Sequence, residues 1–438
     1  MFAYNLRMAR LSLMKQPLLT TLMIAAIGVG VGACMTVLTL FFTMSSDPIP
    51  EKSDRLFAVR LDSWSPDEPF DGDLPTQAPW QLTHTDAMAL LESPVPTRHA
   101  AMRKAVYTAV PDNVDLAPFL TVSRMTSGDF FEMFSVPFLY GGGWDERADE
   151  NAENVVVLSR ETNDNLFGGE NSVGREARFG DETFRVVGVL DTWDLPILYY
   201  DVNNGATNDV EHVFMPFKIT DVREIDGSGN TSCWKDEQIE TYFDLLQSEC
   251  VYVQFWAELE TPAQRAEYQS WLDQYTNDQK TLGRFERPTN NLLSDVNEWL
   301  QIRQVVDDSI LVVVSIGILF LVACLSNTVG LILARFVAKA PVIGLRRALG
   351  ANKATIFRQH LVEVGLVGFA GGLFGLLLAY LGLMGVRSLI RDFTDLAQLS
   401  IPMVVLTILV AIVSALIAGL YPTWRVCQLA PANYLKTQ

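Results

Sequence analysis

Carboxylates are almost missing from both ends of this 438-residue chain: of 51, only Glu363, Asp392 and Asp395 lie outside residues 45–308. Histidine is scarce as well, with four in all, and His84, His99 and His212 stand isolated from other reactive side chains. No Ser-His-Asp, Cys-His or metal-ligand constellation can be drawn, and enzyme chemistry needs clustered groups. The chain is therefore not expected to be an enzyme or to hold a cofactor or metal of its own. Gly141-Gly142-Gly143 is not followed by Gly-Lys-Ser or Gly-Lys-Thr, so these residues contain no phosphate-cradling P-loop.

What charge there is divides sharply. Residues 45–308 carry a net −28 and the remainder +10, which gives the overall −18. A segment that acidic is a soluble domain that repels nucleic acid and anionic lipid. The rest contains four uncharged runs, 16–46, 309–334, 364–386 and 396–424. Each is long enough to cross a bilayer, which takes about 20 apolar residues. The first is too long for a cleaved signal peptide and reads as an uncleaved anchor.

Basic residues beside apolar spans mark the cytoplasmic side. Arg7, Arg10 and Lys15 precede span one, six Lys or Arg without an acid separate spans two and three, and Arg425 and Lys436 follow span four. The implied order is a cytoplasmic segment 1–17, span one 18–44, an outer domain 45–308, span two 309–334, and a cytoplasmic loop 335–362. Span three at 363–387, a short outer loop 388–400, span four at 401–422 and a cytoplasmic tail 423–438 complete it. Gly28 with Gly32, and Gly371 with Gly375, are spaced four apart, which lets helices approach closely within the chain or across a dimer. Glu363, near a span end, is expected to be hydrated, with pairing to an arginine or a gating role as the alternative.

The outer domain reads as α+β. Residues 55–64 and 251–259 are strand-like, as are 155–158, 183–190 and 213–216. Thr85-Asp86 is expected to cap a short helix, and Thr261-Pro262 with Gln264 to start a longer one. The two ends of the domain would form one subdomain, with a β-rich part inserted between them. Cys233 and Cys250 are the two cysteines of the exported segment, where oxidation is permitted. A bridge between them would stabilise by roughly 3 kcal/mol, and two free thiols are the alternative. Residues 291–308 place Leu292, Val296, Trp299, Ile302 and Val306 on one helical face. This predicts a stalk helix running unbroken into span two, with 43–55 as its counterpart.

Residues 341–378 form the segment around which the chain is organised. A basic amphipathic helix is expected to begin at Pro341, pass Glu363 and enter the membrane without a break. Ile343, Leu345 and Leu349, with Arg346, Arg347 and Lys353 beside them, would face a soluble partner. Composition alone would favour binding of anionic headgroups by Arg346 and Arg347, since basic loops are common at that surface.

Ile343-Gly344-Leu345-Arg346-Arg347-Ala348-Leu349-Gly350-Ala351, Phe357-Arg358-Gln359 and Gly419-Leu420-Tyr421-Pro422 resemble the MacB/FtsX-like permeases of the mechanotransmission class of ABC transporters. Gly128-Asp129-Phe130-Phe131, Leu166-Phe167-Gly168-Gly169 and Phe184-Arg185-Val186-Val187-Gly188 resemble the family's periplasmic domain. The resemblance implies a four-span permease in a bacterial inner membrane, with a ferredoxin-like part and an inserted β-rich part outside. It implies partnership with a separate cytoplasmic ATPase that binds ATP and magnesium, and with a second permease, identical or homologous. A periplasmic adaptor or outer-membrane channel is a further implied partner, alongside membrane lipid. The implied function is conversion of ATP hydrolysis into motion of the periplasmic domain, driving export of a peptide, toxin or drug. The alternatives are activation of a cell-wall hydrolase and lipoprotein extraction. The acidic residue usual in the family before Ile-Gly-x-Arg-Arg is replaced here by Pro341-Val342.

Overall fold

The computed structural model describes every residue except Met1, Val114, Asp307, 390–400 and 429–438. The expected outer loop 388–400 therefore lies largely outside the described residues, as does the tail beyond Gln428. The chain forms two compact units, Met1–Ser46 with Val306–Gln438, and Asp47–Val305.

In the first unit a short helix, Phe2–Met14, precedes four long ones. These are Pro17–Ser45, Asp308–Ala348, Lys353–Leu389 and Ile401–Gln428, the first to fourth spans. All four are long and apolar enough to cross a membrane. Glycine decides how the first and third spans meet. A Cβ on Gly32 would sit 2.8 Å from Leu378 Cβ and 2.9 Å from the Gly375 carbonyl, and one on Gly28 would lie 2.5 Å from Phe374 Cδ1. Gly371 and Gly375 answer from the other side, against Ile27 and the Gly28 carbonyl. The four expected packing glycines thus face one another across a single helix pair, where lack of a side chain lets backbones touch.

The second unit is built on one ten-stranded sheet. Its strands are β1 Leu56–Arg60, β2 Arg98–Val110, β3 Phe119–Thr126, β4 Phe138–Gly141, β5 Val155–Leu158, β6 Glu176–Phe179, β7 Glu182–Leu190, β8 Val213–Pro216, β9 Gln254–Glu258 and β10 Leu292–Asp295. The order is β10-β1-β9-β2-β3-β8-β5-β7-β4, with β6 pairing β2 and β7. The β3–β8 and β5–β7 pairs are parallel and the others antiparallel. Strands from the two ends of the domain, β1, β9 and β10, are neighbours, as their sequence pattern implies. The inserted strands β5, β7 and β8 continue the same sheet. The long central β2 escapes a pattern reading because Arg98, His99, Arg103 and Lys104 interrupt its alternation. Ala101, Ala105 and Ala109 nonetheless line the core from one face of it.

Helix Pro262–Thr281 buries Tyr268, Leu272 and Thr276 at four-residue spacing, and the Thr261 hydroxyl accepts from the Gln264 amide. The early helix is His84–Leu91, capped by Thr83 rather than by Thr85-Asp86. Cys233 and Cys250 form a disulfide, with Cα atoms 4.2 Å apart, beside the backbone bridge between Ser232 and Val251.

The expected stalk is corrected. Leu292–Asp295 is a strand, paired with β1, and only Val296–Ile302 is helical. Asp295 caps that helix through a reciprocal capping box with Glu298, which fixes its start after the strand. The Val305 amide donates to the Leu300 carbonyl and Gln304 takes the left-handed conformation at φ 48°, a Schellman closure that ends the helix. The first span likewise stops at Ser45, and residues 50–55 form turns rather than a second stalk helix.

The turn-rich stretch between β7 and β8 is fixed by a buried charge. Arg124 on β3 is fully enclosed and donates to both Asp201 and Glu211. Tyr200 Oη donates to Glu211 at 2.8 Å, Gln254 on β9 donates to Asp201, and Trp256 Nε1 donates to the Tyr200 carbonyl at 3.2 Å. Burial pushes Asp201 above the ordinary carboxyl range. Burial pushes Glu211 the same way, but the Arg124 guanidinium outweighs it and holds Glu211 below its usual value. Both carboxyls face the same guanidinium nitrogen. Two carboxyls from a segment with little regular structure thereby converge on one strand residue.

Two outcomes follow from this packing. Gly32→Leu should lower the melting temperature of the detergent-solubilised protein or prevent its accumulation, whereas Gly330→Leu, with open space around its Cα, should leave both near wild type. Arg124→Ala should cost about 3–5 kcal/mol in denaturant unfolding followed by tryptophan fluorescence, because it strands buried carboxyls.

Candidate functional site

The residues expected to meet a partner lie at the tip of a helical hairpin. The second span does not start a new helix at Pro341 but runs through it to Ala348, with Pro341 inside. Proline there removes one backbone hydrogen bond, and the long apolar helix on either side tolerates it. Nor is the path from Pro341 into the membrane unbroken. Gly350, at φ 97°, closes the helix with the Ala351 amide donating to the Arg346 carbonyl. The Asn352 side chain then accepts from the Ala354 amide at 3.2 Å and starts the third span helix at Lys353. From Lys353 onward the helix does pass Glu363 into the apolar segment without interruption, as the sequence implies.

The tip sorts the expected contact residues. Leu349 is 80% exposed and Leu345 53% exposed, and Arg346 and Lys353 flank them on the surface. Ile343 is instead 7% exposed and packs in the bundle core with Ile356 and Phe336. Arg347 is half-buried and donates to the Cys427 carbonyl at 3.3 Å, tying the hairpin to the end of the fourth span. The exposed set is thus two leucines and two cations, an apolar centre with a basic rim.

Beneath the tip lies a cluster that the sequence reading placed in water. Glu363 is 3% exposed, not hydrated. Its Oε1 accepts from Arg335 at 2.7 Å and Lys339 at 2.8 Å, both on the second span, and from Ser12 at 3.0 Å on the N-terminal helix. Arg335 also donates to Thr20 Oγ1 of the first span and to the Ser12 carbonyl. His360, one turn before Glu363, packs its ring 4.4 Å from Phe336. One carboxylate therefore joins the N-terminal helix and the second and third spans, and its partner Arg335 adds the first. The sequence signal was available: Arg335, Lys339 and Glu363 are the charges nearest the ends of two adjacent apolar runs, where unpaired charge is costly.

A model of the MacB-like periplasmic core domain matches residues 20–275, and one of the FtsX-like permease C-terminal region matches 314–431. The chain belongs to the MacB/FtsX-like ABC permease family. Among curated proteins it is similar to the macrolide export ATP-binding/permease protein MacB of Syntrophobacter fumaroxidans, 25% identical over 341 residues, covering 71% of this chain and 46% of that protein. It is also similar to the pyoverdine export ATP-binding/permease protein PvdT of Pseudomonas aeruginosa, 24% identical, covering 71% and 41%. The chain thus spans less than half the length of these relatives. Among solved structures, the periplasmic region of MacB from Actinobacillus actinomycetemcomitans aligns with a TM-score of 0.38 at 12% identity, covering 60% of this chain and 97% of that one. For this MacB/FtsX-like permease the architecture is that of a multi-pass membrane protein with a large α/β domain after its first span.

Glu363→Gln should destabilise the solubilised permease by about 3–5 kcal/mol, since it leaves Arg335 and Lys339 buried without their counter-charge. A lowered melting temperature in a detergent thermal-shift assay checks this, with exposed Glu267→Gln as the unaffected control.

Proposed function

We propose that this chain is the permease of an ABC exporter in a bacterial inner membrane, with both termini cytoplasmic and the acidic domain periplasmic. Its hairpin tip docks on a cytoplasmic ABC ATPase that these 438 residues do not contain, and the ATPase binds the ATP and magnesium. Two copies of the permease, or this chain and a homologue, complete the transporter. The observation that supports the reading best is the tip itself. Leu345 and Leu349 stand exposed between Arg346 and Lys353 on a surface expected to face the cytoplasm. Exposed leucines rimmed by arginine suit a protein groove better than a layer of headgroups.

The hairpin also has the stiffness to carry a load. Its two helices are pinned by the Glu363 cluster and continue as the second and third spans. The third span is in turn locked to the first through the facing glycines. Displacement of the tip then moves the spans together instead of bending one of them. The motion reaches the periplasmic domain through its two covalent connections, at Ser46 and at residues 303–307. The cargo, in line with the export functions of the related MacB and PvdT proteins, is a molecule already in the periplasm.

Arg346→Glu combined with Leu349→Asp tests the docking surface, because both side chains are exposed and their replacement should not disturb folding. The tagged protein is purified in mild detergent from its native host and the bound proteins are identified by mass spectrometry. A Walker-motif ATPase should accompany the wild type and fall at least tenfold in the double variant, at equal permease yield. Recovery of the same amount of ATPase with the variant would remove the tip from the interface. Absence of any nucleotide-binding partner from the wild type would overturn the ABC reading.

A further inference from the structure

With a net −28 across residues 45–308, an arginine of the outer domain has many carboxylates to choose from. Arg124, Arg284 and Arg287 each hold one. Arg60 and Arg303 hold none: neither enters an ion pair among the described residues. Glu298 acts on Arg60 and Asp71 on Arg303, each from beyond ion-pair contact. Yet the two guanidiniums lie together. Both stand over Trp80, with Cζ 5.3 and 4.5 Å from its ring centre, and over Trp299, at 5.4 and 5.7 Å. Burial, with the Arg303 charge added, brings Arg60 below its ordinary value, to about 10.

They differ in access. Arg60 is 1% exposed, and its terminal nitrogens donate to Gln77 at 2.7 Å and Ser294 at 2.9 Å. Its Nε, the Arg303 Nε and the Nε1 of buried Trp299 are shielded from solvent and donate to nothing. Arg303 is half-buried, and its terminal nitrogens are neither enclosed nor hydrogen-bonded among the described residues. This corner therefore combines a surplus of donors, a fixed positive charge behind and a free guanidinium fork in front. Stacking on two indoles holds that fork but does not neutralise it.

What is missing is an anion. A buried charge without a counter-charge is unfavourable, and the domain as a whole repels anions, so any that bind here must be held locally. A guanidinium fork matches the oxygens of a phosphate group in a bidentate pair. The second charge behind it favours phosphate over a single weakly held halide. Chain position favours the same chemistry. Five residues separate Arg303 from the start of the second-span helix at Asp308, and tryptophan is enriched where spans leave the bilayer. We propose that Arg303, backed by Arg60, binds a phosphate group, carried by a phospholipid headgroup or free in solution. All of these residues belong to the unit Asp47–Val305, so the site is independent of ATPase docking at the hairpin tip.

Calorimetric titration of inorganic phosphate into the delipidated full-length protein in a maltoside detergent, at constant ionic strength in chloride, tests the site. Saturable binding is expected, weakened at least tenfold in Arg303→Gln at equal melting temperature. Arg303→Lys, which keeps the stacked charge but not the fork, should weaken it severalfold and carries the comparison where Arg303→Gln does not accumulate. Phosphatidylglycerol added to the micelles should suppress the phosphate signal where a headgroup is the occupant and leave it intact where free phosphate is. Absence of saturable binding to the wild type, or unchanged affinity in the Arg303 variants, would overturn the site and leave both arginines as stacking partners of the two tryptophans.

Discussion

The membrane unit depends on one carboxylate kept away from water. Taking Glu363 out of solvent is unfavourable by several kcal/mol unless its charge is matched, and Arg335, Lys339 and Ser12 match it at 2.7–3.0 Å. Such an arrangement is intolerant of sliding. A shift of the third span by a single residue would carry Glu363 about 1.5 Å along and 100° around its axis, out of reach of both cations. The apolar contacts between the same helices have no such register, because one leucine substitutes for another. The glycine contacts and the ion cluster therefore do different work. Gly28, Gly32, Gly371 and Gly375 set how near the first and third spans lie, and Glu363 sets at which level the second and third meet.

The periplasmic domain solves a related problem by a similar device. Its long inserted stretch has few apolar residues at regular spacing and cannot dock by pattern. Asp201 and Glu211 instead converge on Arg124, and Tyr200 and Gln254 satisfy the remaining oxygens. In both units a buried guanidinium organises segments distant in sequence. In both, specificity arises because removing one partner is far worse than never having buried the set.

What the residues revealed before the structure was whatever depends on composition or short-range period. The four spans, the outer α/β domain, the terminal strands that pair with each other and the four packing glycines all follow from runs, alternation and spacing. What stayed hidden depends on pairing across the chain. Strand β2 lies centrally although Arg98, His99, Arg103 and Lys104 break its alternation, because neighbours on both sides satisfy its backbone. Glu363 looks solvated when its neighbours in sequence are considered and enclosed once Arg335 and Lys339 are placed beside it. Of the residues expected to meet a partner, exposure separates Leu345, Arg346, Leu349 and Lys353 from Ile343 and Arg347, a distinction invisible to a motif that treats the run as one unit.

Helix ends were the hardest feature to read, and they matter most for how movement could travel. Hydrophobic period says which face of a helix is buried but nothing about where the helix stops. At the hairpin tip the stop is written in the sequence, since Gly350 takes the left-handed position and Asn352 caps the next helix. After Ile302 the same closure is made by Gln304, a residue with no special preference for φ 48°. A non-glycine residue held there carries some backbone strain, and in return the segment 303–306 is a bend where a continuous stalk would otherwise stand. Because glutamine rather than glycine or proline makes this turn, nothing in the residue types marks where the helix that begins at Val296 ends.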